Sequence, residues 1–172
     1  MTRTEDGIGS APDGEQPAVL FVSRRNSLRS VIAHACLAHV GRGRCRADSC
    51  GVPRQLADQV HPAALAALQQ AGIEPVVQAP RDWTTLRSAG LRPDVVILLD
   101  PFDHLDLPPW PGQPATAWWN CPDLAARGAE LPPAEVTALL HSLRQRLEIL
   151  ATLLTRSTEG SAVRSDIRDM FL

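Results

Sequence analysis

Ala18-Val19-Leu20-Phe21-Val22 is an unbroken apolar run, and the polar stretch Ser23-Arg24-Arg25-Asn26-Ser27-Leu28 separates it from a helical pattern that opens at Arg29-Ser30. An apolar run without polar alternation marks a strand covered on both faces, as in a parallel sheet. The N–H groups of the loop after such a strand, and the positive end of the helix that follows, converge on one spot at the strand's C-terminal end. That geometry suits an anion. Its candidate ligands are Ser23, Arg24, Arg25, Asn26, Ser27, Leu28, Arg29 and Ser30, with the Arg29 guanidinium as a two-pronged clamp. Arg24 and Arg25 either extend the positive surface outward or form a solvated loop face.

The remaining chain repeats this alternation. Val31, Ile32, Ala35, Cys36, Leu37 and Val40 keep a helical spacing that stops at Gly41, read here as a C-terminal glycine cap. Gly41-Arg42-Gly43-Arg44 is a turn, and Cys45 to Cys50 is a second short strand. His61-Pro62 to Gly72 has proline at the first helical position and glycine just past the end, which predicts a helix. A short helix is expected at Thr84 to Ser88, held to the core by Trp83 and Leu86. Asp94 to Leu99 is the second continuous apolar strand, Phe102 to Pro114 is a proline-rich loop, and Ala115 to Trp119 is a last strand. Pro132-Pro133 opens the longest helix, Ala134 to Arg156. Its apolar stripe covers one sheet face, or pairs helix to helix with another copy over about three heptads. Strands and helices in this order give an α/β three-layer sandwich, a four-stranded parallel sheet flanked by helices, with the ligand site at the strands' C-terminal ends.

Composition sets the bounds. A chain of 172 residues with 44% hydrophobic content buries one core, so the expected layout is a disordered leader at 1–17, one domain at 18–156 and a tail at 157–172. A net charge of −2 gives no global attraction to nucleic acid or an anionic membrane. No run approaches the roughly 18 apolar residues of a membrane span and no secretory signal is evident, which places the protein in the cytoplasm as an expectation. Cys36, Cys45, Cys50 and Cys121 lack zinc-site spacing, so reduced thiols are expected, with no metal and no cofactor. Asp166-Ile167-Arg168-Asp169-Met170-Phe171-Leu172 leaves apolar residues at the terminus, either folded back on the core or set into a partner's groove. The oligomeric state is not written in the sequence.

The string Val22-Ser23-Arg24-Arg25-Asn26-Ser27-Leu28-Arg29-Ser30 resembles V-C-x-G-N-x-C-R-S, the anion loop of the low-molecular-weight protein tyrosine phosphatases and their thioredoxin-coupled arsenate reductase branch. Val60-His61-Pro62-Ala63-Ala64-Leu65 through Gly72-Ile73 resembles the family's V-H-P-x-A-L segment, and Trp119-Asn120-Cys121-Pro122-Asp123 its W-x-x-P-D-P. Ser49-Cys50-Gly51 resembles its S-A-G. The resemblance implies the family's fold over about Ala18 to Leu154, and it implies that Asp123 is the acid that protonates a leaving group; as a bare residue, Asp123 equally suits a cap on the next helix.

The departures matter more for function. Ser23 stands where the resemblance calls for the nucleophilic cysteine, Arg25 for the glycine, Leu28 for the second cysteine, His34 for a helix glutamate and Leu124 for the proline after the acid. The resolving cysteines of the arsenate reductases have no counterpart in Phe102 to Pro114. The amides and arginine of such a loop lower a thiol pKa from about 8.5 to roughly 3.5–7.5, whereas a serine needs a positioned base. The expected function is therefore a catalytically degenerate relative that binds an oxyanion or a phosphorylated or acidic partner at Ser23 to Ser30. Two alternatives stand beside it. One is an active phosphomonoesterase or arsenate reductase with Asp123 as acid and Ser23, or a relocated thiol at Cys50 or Cys121, as nucleophile; His61 is then the candidate base, although a helix-capping role suits it as well. The other is a regulatory protein acting through 157–172. His34 is read as a surface or internally satisfied histidine, and Cys36, Cys50 and Cys121 as inert small core residues unless the thiol alternative holds. A bulky Arg25 where the backbone needs a positive φ would reshape the loop.

Overall fold

The two continuous apolar runs become the two central strands. In the computed structural model, which describes residues 16–127 and 130–157, β1 (Ala18–Val22) and β3 (Val95–Leu98) are buried at every position. The outer strands β2 (Arg46–Cys50) and β4 (Ala115–Trp118) carry partly exposed residues, as edge strands can because one side meets solvent. The sheet order is β2-β1-β3-β4 and every pairing is parallel. Register is fixed at both ends of β1, with Ala18 opposite Arg46 and Val22 opposite Cys50 and Leu98. The Asp94 carboxylate accepts the Ala18 N–H at 2.8 Å and ties the start of β1 to the start of β3.

Period-2 alternation sorts each strand's side chains onto two faces. Val19, Phe21, Val95, Ile97 and Ala117 join one large cluster with the inner faces of α1 (Arg29–Val40), α2 (Pro62–Gln70) and α4 (Pro133–Ser157). Leu20, Val22, Cys50, Val96 and Leu98 form the opposite cluster under α3 (Trp83–Ser88) and the proline-rich segment. That makes three layers. The α4 stripe Val136, Leu139, Leu140, Leu143, Leu147, Leu150 and Leu154 is buried within the chain, where α4 packs on α1 and α2. The residues of the heptad alternative are therefore already covered inside one protomer.

Helix ends follow the sequence signals with one exception. His61 caps α2 by accepting the Ala63 N–H on Nδ1 at 3.1 Å, and Asp82 caps α3 by accepting the Thr85 N–H. Gly72 after α2 has φ +69°, the left-handed conformation a terminal glycine supplies. Gly41 after α1 does not, since its φ is −97°. Glycine is required there by space instead, because a Cβ would lie 2.5 Å from the Cys45 sulfur. The loop from Phe102 contains a short 3-10 turn at His104–Asp106, and Phe102 itself is buried. The expected leader, except Gln16 and Pro17, and the expected tail beyond Ser157 lie outside the described residues.

Candidate anion site

Ser23 to Leu28 leaves the C-terminal end of β1 and turns into α1 at the centre of the sheet, between the ends of β2 and β3. Four main-chain bonds to other segments fix the path of this loop. The Ser23 N–H donates to the Cys50 carbonyl at 3.2 Å, the Val52 N–H to the Arg24 carbonyl at 2.9 Å, the Ala57 N–H to the Arg25 carbonyl at 3.0 Å, and the His61 N–H to the Ser27 carbonyl at 2.9 Å. With the carbonyls drawn outward, the N–H groups are left to the inside. Among the described residues no acceptor is found for the main-chain N–H groups of residues 25–30. Leu28, at the N-cap of α1, has no side-chain capping bond, and the first turn has no acidic residue, so the positive end of α1 is unneutralised by its own helix.

The interior of the loop is a connected polar network. The Ser23 hydroxyl donates to Ser30 Oγ at 2.7 Å, and Asn26 Nδ2 donates to the same oxygen at 2.9 Å. Asn26 Oδ1 accepts the Arg81 N–H at 3.0 Å. The Arg81 side chain reaches back to the Ser49 carbonyl at 3.3 Å and to Asp48 Oδ1 at 2.8 Å. Asn26 has φ +49° and takes the left-handed position; Arg25 does not. The expectation that Arg25 would disturb the loop is corrected accordingly, since asparagine is the residue after glycine that best tolerates this conformation. Gly51 is needed for close approach, because a Cβ there would meet the Arg24 carbonyl at 2.8 Å and the Asn26 Cβ at 3.2 Å.

Arg29 has left solvent almost entirely, at 4% exposure. Its guanidinium donates to the carbonyls of Leu99 at 2.9 Å and Cys121 at 3.2 Å, and it pairs with Asp100 Oδ1 at 2.8 Å and Asp123 Oδ2 at 3.4 Å. The second Asp100 oxygen accepts the Arg24 N–H at 2.8 Å. Where the sequence suggested a guanidinium open to ligand, the structure has one engaged by two carboxylates. Asp100, which follows β3 and is 5% exposed, therefore shapes the loop as much as any residue within it. No local pattern flagged it, because it lies 71 positions from Arg29 in the sequence.

The structure also places the other candidate residues. Asp123 is a third exposed and pairs with Arg29 rather than capping the turn Leu124–Arg127 that follows. His61 serves α2 as cap, and the partner of the Ser23 hydroxyl is Ser30, not an imidazole. His34 is buried, not on the surface; it bonds Ser49 Oγ at 3.1 Å, and burial lowers its pKa to about 4. Cys50 is fully buried in the α3-side cluster, while Cys121 borders the cluster on the α1 side. Burial raises the pKa of both thiols, the reverse of what a nucleophilic cysteine needs. Cys36, in the core of α1, is pushed up to about 12 by burial, and none of the four cysteines is joined to another in a disulfide. Arg25 is exposed, and Arg24 lies over the Phe102 ring at 5.0 Å. No helix among the described residues is long and apolar enough to cross a membrane, and among them no group of three or more His, Cys, Asp or Glu is placed to hold a metal ion.

Comparison with known proteins matches this geometry to a family. The family model described as low molecular weight phosphotyrosine protein phosphatase matches residues 18–110, from β1 into the proline-rich segment. No match is found among curated proteins. Among solved structures, an arsenate reductase described as in the phosphate binding state is 27% identical, with a TM-score of 0.65 over 81% of this chain and 99% of that one. The arsenate reductase of Archaeoglobus fulgidus is 21% identical, with a TM-score of 0.61 over 78% of this chain and 98% of that one. Vibrio vulnificus Wzb in complex with benzylphosphonate is 12% identical, with a TM-score of 0.63 over 80% and 98% of the two chains. The last two likenesses concern the fold alone.

Proposed function

The chain belongs to the low molecular weight phosphotyrosine protein phosphatase family, and from that premise we propose that it is a catalytically degenerate member that binds a phosphate-like oxyanion, or a partner carrying one, at Ser23 to Ser30. The observation that carries this reading is the state of Ser23. Its hydroxyl is hydrogen-bonded to Ser30 Oγ, and among the described residues no histidine or carboxylate is bonded to it as a base. A serine with a pKa far above that of a thiol gains no nucleophilicity from this arrangement. The main-chain N–H groups of residues 25–30 and the start of α1 remain suited to three or four oxygen atoms around one centre. The related arsenate reductase in its phosphate binding state supports the same chemistry for this loop. An arriving anion gains Arg29 only by taking the place of Asp123, the more exposed and more distant of its two carboxylate partners.

Two measurements test the proposal together. Inorganic phosphate at 100 times its Kd should raise the unfolding free energy by about 2.7 kcal/mol, while phosphomonoester hydrolysis stays at background. Ser23→Cys should then restore turnover, since the thiol would be activated by a loop that is otherwise in place. The absence of any phosphate stabilisation would refute the binding proposal.

A second reading is favoured by Asp123, whose carboxylate is at the loop's edge and reaches Arg29 at 3.4 Å. If phosphomonoester hydrolysis or arsenate reduction by the wild type were lost in both Ser23→Ala and Asp123→Ala, the chain would be an enzyme with Asp123 as its proton donor.

A further inference from the structure

A cavity of about 630 Å³ opens beside the loop, walled by Arg25 and Ser27, by the 57–62 segment, and by Ala125 and Ala126 just beyond Asp123. Its volume suits a small molecule rather than a single ion. The polar groups along it are Arg25, Ser27, Asp58, Gln59 and His61, and its apolar lining consists of Ala57, Pro62, Ala125 and Ala126. No Phe, Tyr or Trp is among them, and the one ring is the half-buried His61 imidazole, so a flat aryl group would rest mainly on small aliphatic side chains rather than stack between rings. The polar groups are of both kinds. Arg25 donates only and Asp58, when ionised, accepts only, while Ser27 and Gln59 do both. His61 adds a donor, because its Nδ1 is committed to the Ala63 N–H as acceptor, which puts the ring proton on Nε2. Arg25, Asp58 and Gln59 are exposed and, among the described residues, have no side-chain partner.

From this lining we propose that the cavity is a subsite for the hydroxylated body of a small phosphate ester, a sugar-phosphate type of ligand whose phosphate occupies the Ser23 to Ser30 loop. A second charged group on the ligand, whether acidic or basic, would share the cavity with one side chain of its own sign, Asp58 or Arg25. Neutral hydroxyls, each both donor and acceptor, satisfy the whole set. The subsite rests on the reading of the loop as a phosphate site, and the test separates the two.

Isothermal titration of the full chain with inorganic phosphate, ribose 5-phosphate and phenyl phosphate gives three affinities. Two new hydrogen bonds correspond to about a tenfold gain, so ribose 5-phosphate is expected to bind about tenfold more tightly than inorganic phosphate, and phenyl phosphate no more tightly than inorganic phosphate. Asp58→Ala and Gln59→Ala, both at exposed positions, should each weaken ribose 5-phosphate severalfold towards the inorganic phosphate value. Equal affinity for inorganic phosphate and ribose 5-phosphate, a preference for phenyl phosphate, or indifference to both substitutions would overturn the subsite and leave the loop's role standing. Failure of all three to bind would overturn both.

Discussion

Arg25 and Arg29 belong to the same turn of chain, and the fold treats them in opposite ways. Arg29 is 4% exposed and held by two carbonyls and two carboxylates contributed from after β3 and after β4. Arg25 is exposed at the cavity mouth and takes no side-chain partner among the described residues. The inner half of the loop is thus a structural frame, in which charge is balanced and geometry is fixed. The outer half carries positive charge available to a ligand. Two arginines four positions apart are easily given one common role; here one chiefly builds the loop and the other lines the cavity beside it.

The sharpest way to break this contrast is to remove each arginine. Arg29→Ala leaves Asp100 buried without its cation, and loss of one partner of a buried pair costs about 3–5 kcal/mol. Arg25→Ala should change stability by no more than about 0.5 kcal/mol while weakening phosphate. Denaturant midpoints compare them directly, and equal losses would erase the distinction. His34 tests the frame by pH. Its folded pKa, about 4, lies below the ordinary 6.5, so the unfolded chain takes up a proton first as pH falls. The stabilising contribution is present in full above about 6.5 and disappears as pH falls towards 4, a loss of about 3 kcal/mol. Urea unfolding at pH 7 and pH 4 should show that loss in the wild type and a smaller one in His34→Gln; parallel losses would remove the histidine from the account.

Gly51→Ala presses a methyl group against the Arg24 carbonyl and Asn26, and crowding of this kind costs about 1–3 kcal/mol. An unchanged melting temperature would mean that the loop's inner wall is softer than described. The smallest effect belongs to Asp123→Asn. A partly exposed pair is worth about 0.2–1 kcal/mol, so releasing Arg29 from this carboxylate should tighten inorganic phosphate by about two- to fivefold in a direct titration. Unchanged or weaker binding would show that Asp123 does not compete with the anion.

The order of strands and helices was legible because β1 and β3 are fully buried and must be continuously apolar, and because Pro62 and Gly72 bracket α2. The loop was legible as well, since the sequence after β1 already carries Asn26, Arg29 and Ser30 in a short span. What surrounds the loop was not. Asp100, Asp123 and the Arg81 amide come from distant segments, and their meeting depends on the β1 and β3 register rather than on any local spacing. Gly41 carried a familiar signal for the wrong reason: a helix-ending glycine suggests a left-handed cap, and this one avoids a clash with Cys45 instead. His34 sits on a helix whose face is buried almost all round, so periodicity could not separate a surface position from a buried one.

The central claim is that the N–H groups of residues 25–30 enclose an oxyanion. A titration of the isotope-labelled chain with inorganic phosphate, followed by nuclear magnetic resonance of the backbone amides, reads those groups one at a time. Saturable shifts concentrated at residues 25–30 are the predicted result. Saturating phosphate that leaves these amides unmoved, or moves only amides remote from the loop, would contradict it.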